Sequence, residues 1–326
     1  MDAKITKKRL TQLLSYDWLK IVGAIAGAIL VWTLVFTTTA TRILSSQNFG
    51  VYNYSGSTIT DRFTSYPNMM NEFSYEVIEM IASDATTGGE EYTYQIMEAR
   101  LLTAEVDVVF TPDVEGGSIQ YQTEVNGEVK TTTHLEDFLY RYGNYAYKLD
   151  GEDGYLAKMA EYLNGYYNGD YVNGTLDEEK VESDFRAYVK QSKDKRYKKE
   201  AQIKEGIKGE LERIAGYRKA LIDFNSYVDA GYISLTEKTL YYNYNGEISQ
   251  KTGCYSINIC PDERMEDLKK DAYYRVTDEE SNQTKTTALN MNLILINDGE
   301  TRDGFQYESL TFVNYLVRTH CSALKS

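Results

Sequence analysis

The sequence predicts an α/β protein in which one apolar N-terminal helix precedes an exported domain. Three observations lead to this prediction. An unbroken apolar run lies near the N-terminus, strand-like and helix-like hydrophobic periods alternate after about residue 73, and two Asn-Gly pairs lie between β-type runs. With 42% hydrophobic residues and three prolines in 326, the composition is that of a folded chain.

The N-terminal run is long enough to cross a bilayer. Apolar and small residues extend from Ile21 to Phe36, and Thr37 to Ala40 prolong the run without charge. About 20 such residues span a membrane. Basic residues precede it at Lys4, Lys7, Lys8, Arg9 and Lys20, whereas only Arg42 follows closely. This asymmetry predicts a cytoplasmic basic segment (1–17), a single transmembrane helix (18–40) in the cell membrane, and an extracellular remainder.

A cleaved signal peptide is the alternative interpretation of the same segment. Thr38, Thr39 and Ala40 are small residues of the kind that a signal peptidase accepts. The apolar run is long for a signal peptide, which favours an uncleaved anchor. Gly23 and Gly27 are spaced so that two such helices can approach closely, although a lone anchor also tolerates small residues.

Charge limits the partners of the exported part. The net charge of the chain is −14, yet residues 1–42 hold six Lys and Arg against two Asp and Glu. The remainder is therefore strongly acidic. This excludes nucleic-acid binding through the phosphate backbone, and it leaves the N-terminal helix as the predicted contact with membrane lipid.

Residues 41–72 are rich in Ser, Thr, Asn and Tyr and are predicted to form a linker, with the exported domain at 73–326. A strand within 74–82, a helix over 92–103 and a strand over 106–110 make a βαβ unit with parallel strands. Pro112 ends the second strand and delivers Asp113 to its carboxyl end, where parallel sheets bind ligands. Asp107 is predicted to bond to backbone amides at the start of that strand, in preference to a ligand role.

Two β-hairpins and a helical middle segment follow. The hairpins are centred on Asn126-Gly127 and Asn245-Gly246, since this dipeptide suits a two-residue type I′ turn. Between them, apolar residues recur at helical spacing after Glu178 and again from Glu200 to a cap at Gly231. The tail returns to strands at 255–259 and 293–296 and to a helix within 305–317.

No pattern for catalysis, metal binding or a cofactor is present. His134 and His320 lack Cys or Asp at metal-ligand spacing, and residues 150–154 are better explained as a turn than as a calcium loop. Phosphate-binding, dinucleotide-binding and nucleophile motifs are absent from the sequence. The chain is therefore predicted not to be an enzyme.

Three cysteines fall on the exported side, where a disulfide can persist. Cys254 and Cys260 are too far apart to bridge within one extended strand, and Cys321 is the third. Buried thiols are favoured, and their oxidation state is left open.

Several segments, taken in order, carry a resemblance to a known family. "EYTYQIMEARLLTAEVDVVF", "HLEDFLYRYGNYAYKLD", "DKRYKKEAQIKEGIKGELERI", "CYSINI" and "LNMNLILIN" with "SLTFVNYLV" cover most of residues 74–318. They resemble the extracellular solute-binding proteins of ABC transporters, which have the type II periplasmic-binding fold, in the membrane-anchored form of Gram-positive gut bacteria. The resemblance implies a hinged cleft that captures its ligand by closure.

This chain departs from that family in three ways. Ser256 stands where a Gly is commoner, no lipobox cysteine is present, and the ectodomain is shorter than usual, which leaves open a reduced lobe. The family's ligand residues vary too widely to be carried over by motif.

The predicted function is capture of a small polar ligand, a sugar or a peptide, for an ABC transporter permease. Thr111, Asp113, Asn258 and Asn297 are the predicted ligand-binding residues because they lie at strand ends or adjoining turns. The 30 tyrosines suit such a site, since their rings stack on sugars and their hydroxyls bond to polar groups. The alternative is a non-catalytic structural or interaction subunit of the cell envelope with a degenerate binding-protein fold.

Overall fold

The chain forms two compact units, Met1–Leu44 and Ser45–Ser326. Their structure is known from a computed structural model. The residues that it describes are 11, 18–39, 47–66, 68–74, 77–86, 89–122, 129–192, 196–244, 247–277, 283–297 and 308–325.

The first unit contains one apolar helix, α1 (Trp18–Thr39), whose 22 residues are about 33 Å long at 1.5 Å per residue. Its span Trp18–Thr37 is long and apolar enough to cross a membrane, and none of it is buried. The hydroxyls of Thr33 and Thr37 bond back to the carbonyls of Ile29 and Thr33, at 2.8 and 2.7 Å. Such bonds suit a helix in an apolar solvent. The helix is consistent with a signal anchor or a signal sequence, and its orientation stays a prediction.

The second unit is built on one mixed six-stranded sheet. Its strands are β1 (Asn48–Asn53), β3 (Glu79–Ser83), β4 (Val108–Pro112), β7 (Ser234–Tyr244), β8 (Glu247–Asn258) and β11 (Met291–Leu295). Their order across the sheet is β3-β1-β4-β11-β8-β7. β1 pairs in parallel with β3 and β4, and the pairs of β11 with β4, β11 with β8 and β7 with β8 are antiparallel.

The remaining strands form two small antiparallel sheets. They are formed by β2 (Thr58–Ile59), β9 (Ala272–Thr277) and β10 (Thr284–Thr287), and by β5 (Glu115–Gln122) and β6 (Val129–Thr133). The β5–β6 and β7–β8 pairs confirm the two predicted hairpins, whereas their turns lie outside the described residues.

The predicted linker over 41–72 contains part of the domain. β1 lies inside the sheet, between β3 and β4, and Phe49 and Val51 are fully buried. β1 was missed because it is short and is flanked by Ser, Thr and Asn, which resemble linker composition. The predicted parallel direction of β3 and β4 is confirmed, although β1 separates them.

Asp107 has the structural position that the sequence predicts. Its carboxylate accepts a hydrogen bond of 2.5 Å from the amide of Gly50, and its own amide donates to the Gly50 carbonyl at 2.9 Å. A side chain at position 50 would collide with the backbone oxygen of Glu105, which would lie 2.0 Å from the added carbon. Asp107 therefore ties the start of β4 to β1.

Helices cover both faces of the sheet. They are α2 (Glu90–Leu102), α3 (His134–Tyr142), α4 (Tyr155–Asn164), α5 (Glu178–Ser192), α6 (Glu200–Asp229) and α7 (Glu308–His320). Val108 and Phe110 face a core shared with α4 to α7, whereas Val109 faces a second core shared with α2 and α3. This alternation along β4 is expected of a strand that is buried on both faces.

The three cysteines are free thiols. Cys260 and Cys321 are buried, as predicted, and Cys254 is partly exposed. Burial raises the pKa of Cys260, and the nearby carboxylate of Glu266 adds to the shift. Its thiol is therefore unreactive at neutral pH.

Candidate functional site

Polar side chains from four elements gather at the carboxyl end of β4. We call this group the strand-end cluster: Thr111, Asp113, Thr133, Glu136, Lys238 and Asn292. Thr133 is the N-cap of α3 and forms a capping box with Glu136, which fixes the first turn of the helix over the strand end. β11 brings Asn292 opposite Thr111 in the register.

Lys238 is the centre of the charged part of the cluster. Its ammonium donates to the carboxylate of Asp113 at 2.9 Å and to that of Glu136 at 3.2 Å. Asp113 also accepts a hydrogen bond of 2.8 Å from the Thr133 hydroxyl. Burial acts to lower the pKa of Lys238, but the bond to Asp113 and the charges of both carboxylates outweigh it and raise the pKa. Lys238 is therefore charged at neutral pH.

The neutral part of the cluster is built around Asn292, which is fully buried. Its side-chain oxygen accepts hydrogen bonds from the hydroxyls of Thr236, at 2.7 Å, and Ser256, at 3.0 Å. Its amide nitrogen donates to the carbonyl of Asn290 at 3.0 Å. Thr111 is also fully buried, and its hydroxyl has no hydrogen-bond partner among the described residues.

Three of the four predicted ligand-binding residues lie at this end of the sheet. Thr111 and Asp113 belong to the cluster, and Asn258 lies opposite Asn292 in the register. Asn297 lies at the other end, because β11 runs antiparallel to β4 and the preceding Ile296 bonds to Asp107 at the start of that strand. The ligand-binding role of all four stays a prediction.

Lys238, Glu136 and Thr133 were missed as site residues. The sequence "THLE" carries the capping-box pattern of Thr133 and Glu136, so this signal was available. Lys238 had no local signal, since its partner Asp113 is 125 positions away in the chain.

A second polar group adjoins the strand-end cluster and holds α3 in place. Asp137 accepts hydrogen bonds from the hydroxyls of Tyr54, at 2.6 Å, and Ser118, at 2.7 Å, and it pairs with Arg141 at 3.2 Å. Burial raises the pKa of Tyr54, and the bond to Asp137 adds to the shift. Tyr54 is therefore a neutral donor.

The His134 ring lies against two glycines, Gly56 in a turn after β1 and Gly116 in β5. An added side-chain carbon would lie 2.3 Å from the ring at Gly56 and 2.6 Å from it at Gly116. Both glycines also have positive φ angles, +80° and +131°, which favour Gly. The ring therefore packs closely against both segments.

A buried carboxylate and imidazole meet on the other side of the domain. Asp271 is fully buried and lies 2.9 Å from His320 Nε2, and the Tyr66 hydroxyl bonds to the same carboxylate. A carboxylate–imidazole pair also occurs in hydrolases, where it activates a nucleophile. Here the third member is a phenol whose pKa is raised, first by burial and then by Asp271. This arrangement holds α7 to the rest of the domain, and its members are too far apart in sequence for a local motif.

The unpartnered hydroxyl of Thr111 gives a direct test. Because a buried hydroxyl without a partner is destabilising, we expect Thr111→Val to raise the free energy of unfolding by about 1 kcal/mol. Urea unfolding measures this change. Thr132 is the matched control: it is also buried, but its hydroxyl bonds to the Ile119 carbonyl at 2.9 Å. Thr132→Val should lower the free energy of unfolding by a similar amount, about 1 kcal/mol. If both variants lowered the free energy of unfolding equally, the expectation for Thr111 would be contradicted.

The described residues contain no group of three or more His, Cys, Asp or Glu that is placed to hold a metal ion. The fold is that of a mixed α/β domain that follows one apolar helix. No family model, curated protein or solved structure matches this chain.

Proposed function

We propose that this chain is a membrane-anchored, extracytoplasmic solute-binding-like protein that captures a small polar ligand, a sugar or a peptide, for an ABC transporter. One observation carries the proposal. The strand-end cluster gathers a cation, two carboxylates and a buried hydroxyl without a partner at the carboxyl end of the parallel strands. Ligands of α/β proteins bind at this end.

The chemistry of the cluster supports a polar ligand of low net charge. Lys238 and Thr111 offer donors, whereas Asp113 and Glu136 offer acceptors, so a ligand with several hydroxyl or amide groups would find partners of both kinds. The parallel strands β3, β1 and β4, with helices on both faces, support the type II periplasmic-binding fold. α1 supports the membrane anchor.

A ligand screen tests the proposal. The full chain in lipid nanodiscs is heated with single monosaccharides, disaccharides, dipeptides and tripeptides, and the unfolding midpoint of the second unit is measured. A ligand at 100 times its Kd should stabilise the domain by about 2.7 kcal/mol.

Variants locate the ligand. Thr111→Val and Lys238→Met should abolish the shift, whereas Lys251→Met, at an exposed position of β8, should keep it. No shift with any compound, for a chain shown to be folded, would contradict the proposal. A shift that survives both cluster variants would place the ligand elsewhere.

The second candidate is a structural or interaction subunit of the cell envelope. The observation that favours it is that Lys238 donates to both Asp113 and Glu136, which leaves less of the cluster to a ligand. Such a subunit would assemble through helix contacts at Gly23 and Gly27. Its mass in detergent should then correspond to a defined oligomer that Gly27→Leu dissociates, and a monomeric wild-type chain would exclude this form of assembly.

A further inference from the structure

A cavity of about 230 Å³ lies between α6 and α7, on the opposite face of the sheet from the strand-end cluster. α6 lines it with Gly216, Lys219, Ala220 and Asp223, which are spaced so that they share one face of the helix. Gly216 and Ala220 create the space, because larger side chains at these two positions would fill the gap between the helices.

Asn314 of α7 joins the two helices beneath the cavity. Asn314 of α7 is 2% exposed, and its amide nitrogen donates to the Ala220 carbonyl at 2.9 Å. That bond fixes the orientation of the amide, since only the nitrogen can donate to a carbonyl. The side-chain oxygen is left without a hydrogen-bond partner among the described residues. That oxygen has almost no accessible surface, so it lies behind the wall of the cavity and out of reach of a molecule bound there.

The rim of the cavity carries charges that alternate in sign. Lys219 pairs with Asp223 at 2.5 Å, Asp223 lies 3.8 Å from Arg318, and Arg318 pairs with Glu72. The charges around the rim therefore follow one another as positive, negative, positive and negative. The rim has no net charge, so a neutral molecule that carries both signs matches it better than a simple anion or cation does.

We propose that this cavity binds a small zwitterion, a free α-amino acid. Its ammonium group would donate to Asp223, and its carboxylate would accept from Arg318, whose planar guanidinium matches a carboxylate. The volume is below the 300–1,000 Å³ that is typical of sites for drug-sized ligands, and it suits a compound of this size. The site is separate from the strand-end cluster and does not depend on it.

The first test compares amino acids with half ligands, which are compounds that carry only one of the two charged groups. L-Alanine and L-glutamine are titrated into the full chain in nanodiscs by calorimetry, beside acetate and ethylammonium at the same concentrations. An amino acid should bind saturably and each half ligand should bind at least tenfold more weakly. Equal binding of acetate, or no binding of any amino acid, would overturn the proposal.

The second test fills the cavity without removing any charge. Gly216→Leu places a side chain in the space and also favours the helix, so the variant should fold. It should abolish amino-acid binding. Ala215→Leu, at the exposed neighbouring position of α6, is the matched control and should bind as the wild type does.

A third variant separates this inference from the proposed function. Lys238→Met disrupts the strand-end cluster and should leave amino-acid binding unchanged. If Lys238→Met abolishes amino-acid binding and Gly216→Leu retains it, the amino acid occupies the strand-end cluster. The proposal of a site between α6 and α7 is then wrong.

Discussion

Replacing Asp271 by Leu is expected to lower the free energy of unfolding by about 3–5 kcal/mol, because it removes one member of a buried charged group and leaves the others behind. Asp271 is fully buried and is the shared acceptor of His320 and Tyr66. Urea unfolding at pH 7 measures the loss. Asp184→Leu is the control, since Asp184 is exposed and pairs with Lys180 at the surface. A loss as small as that of the control would show that the buried group contributes little.

The same carboxylate makes stability depend on pH. Burial acts to raise the pKa of Asp271, but the bonds from His320 and Tyr66 and the charges of His320 and Arg62 outweigh it and lower the pKa. A group whose folded pKa is lowered stabilises the fold above its unfolded pKa, about 3.9 for Asp, and loses that contribution as the pH falls through the folded pKa. The difference in the free energy of unfolding between the wild type and Asp271→Asn should therefore become smaller below about pH 4. A constant gap from pH 7 to pH 3 would contradict this linkage.

Removing Arg213 is the second change with a large expected effect. Arg213 and Glu210 of α6 are buried, with side chains 4% and 5% exposed, and the guanidinium bonds to Glu210 through two nitrogens. It also donates to the hydroxyls of Tyr217, at 2.6 Å, and Tyr162, at 3.1 Å. Arg213→Leu leaves the carboxylate of Glu210 buried without this partner, and we expect a loss of about 3–5 kcal/mol.

The double variant identifies the cause of that loss. When both members of a buried pair become apolar, no charge is left in the interior, so Glu210→Leu with Arg213→Leu should recover most of the stability. Denaturant curves of the wild type, both single variants and the double variant give the coupling free energy. Additive losses would show that packing of the long side chains, and not their charge, stabilises this part of α6.

Elements whose stabilising contacts are local could be predicted from the sequence. α6 has the predicted helical stripe, and Gly231, with φ +69°, follows the end of α6 as its cap position requires. The existence of α2 was also predicted, but its buried face was not: Tyr92 and Leu102 of the predicted stripe are exposed, and Met97 and Leu101 are buried. Both hairpins follow from turn chemistry. β1 could not be predicted, because its burial depends on β3 and β4, and the polar residues around it carry the stronger local signal.

The candidate site shows the same division between local and distant information. Thr111 and Asp113 could be placed at a strand end from Pro112 alone. Placing Asn297 required the direction of β11 relative to β4, which depends on the path of the chain between them. Lys238 required the pairing of β7 with β8 at one edge of the sheet. Side chains that the order of the strands brings together are far apart in the chain, so no spacing in the sequence identifies them.

The central position of β11 also determines when the sheet can be completed during synthesis. β11 is inserted between β4 and β8, and about 180 residues of chain separate β4 from it, so its pairing is among the slowest steps to be expected. Until residue 295 has been synthesised and released from the ribosome, β4 and β8 each have an unpaired edge that other chains can join. A nonsense mutation upstream of β11 should therefore yield aggregates or rapid proteolysis, whereas one just after His320 would spare every strand.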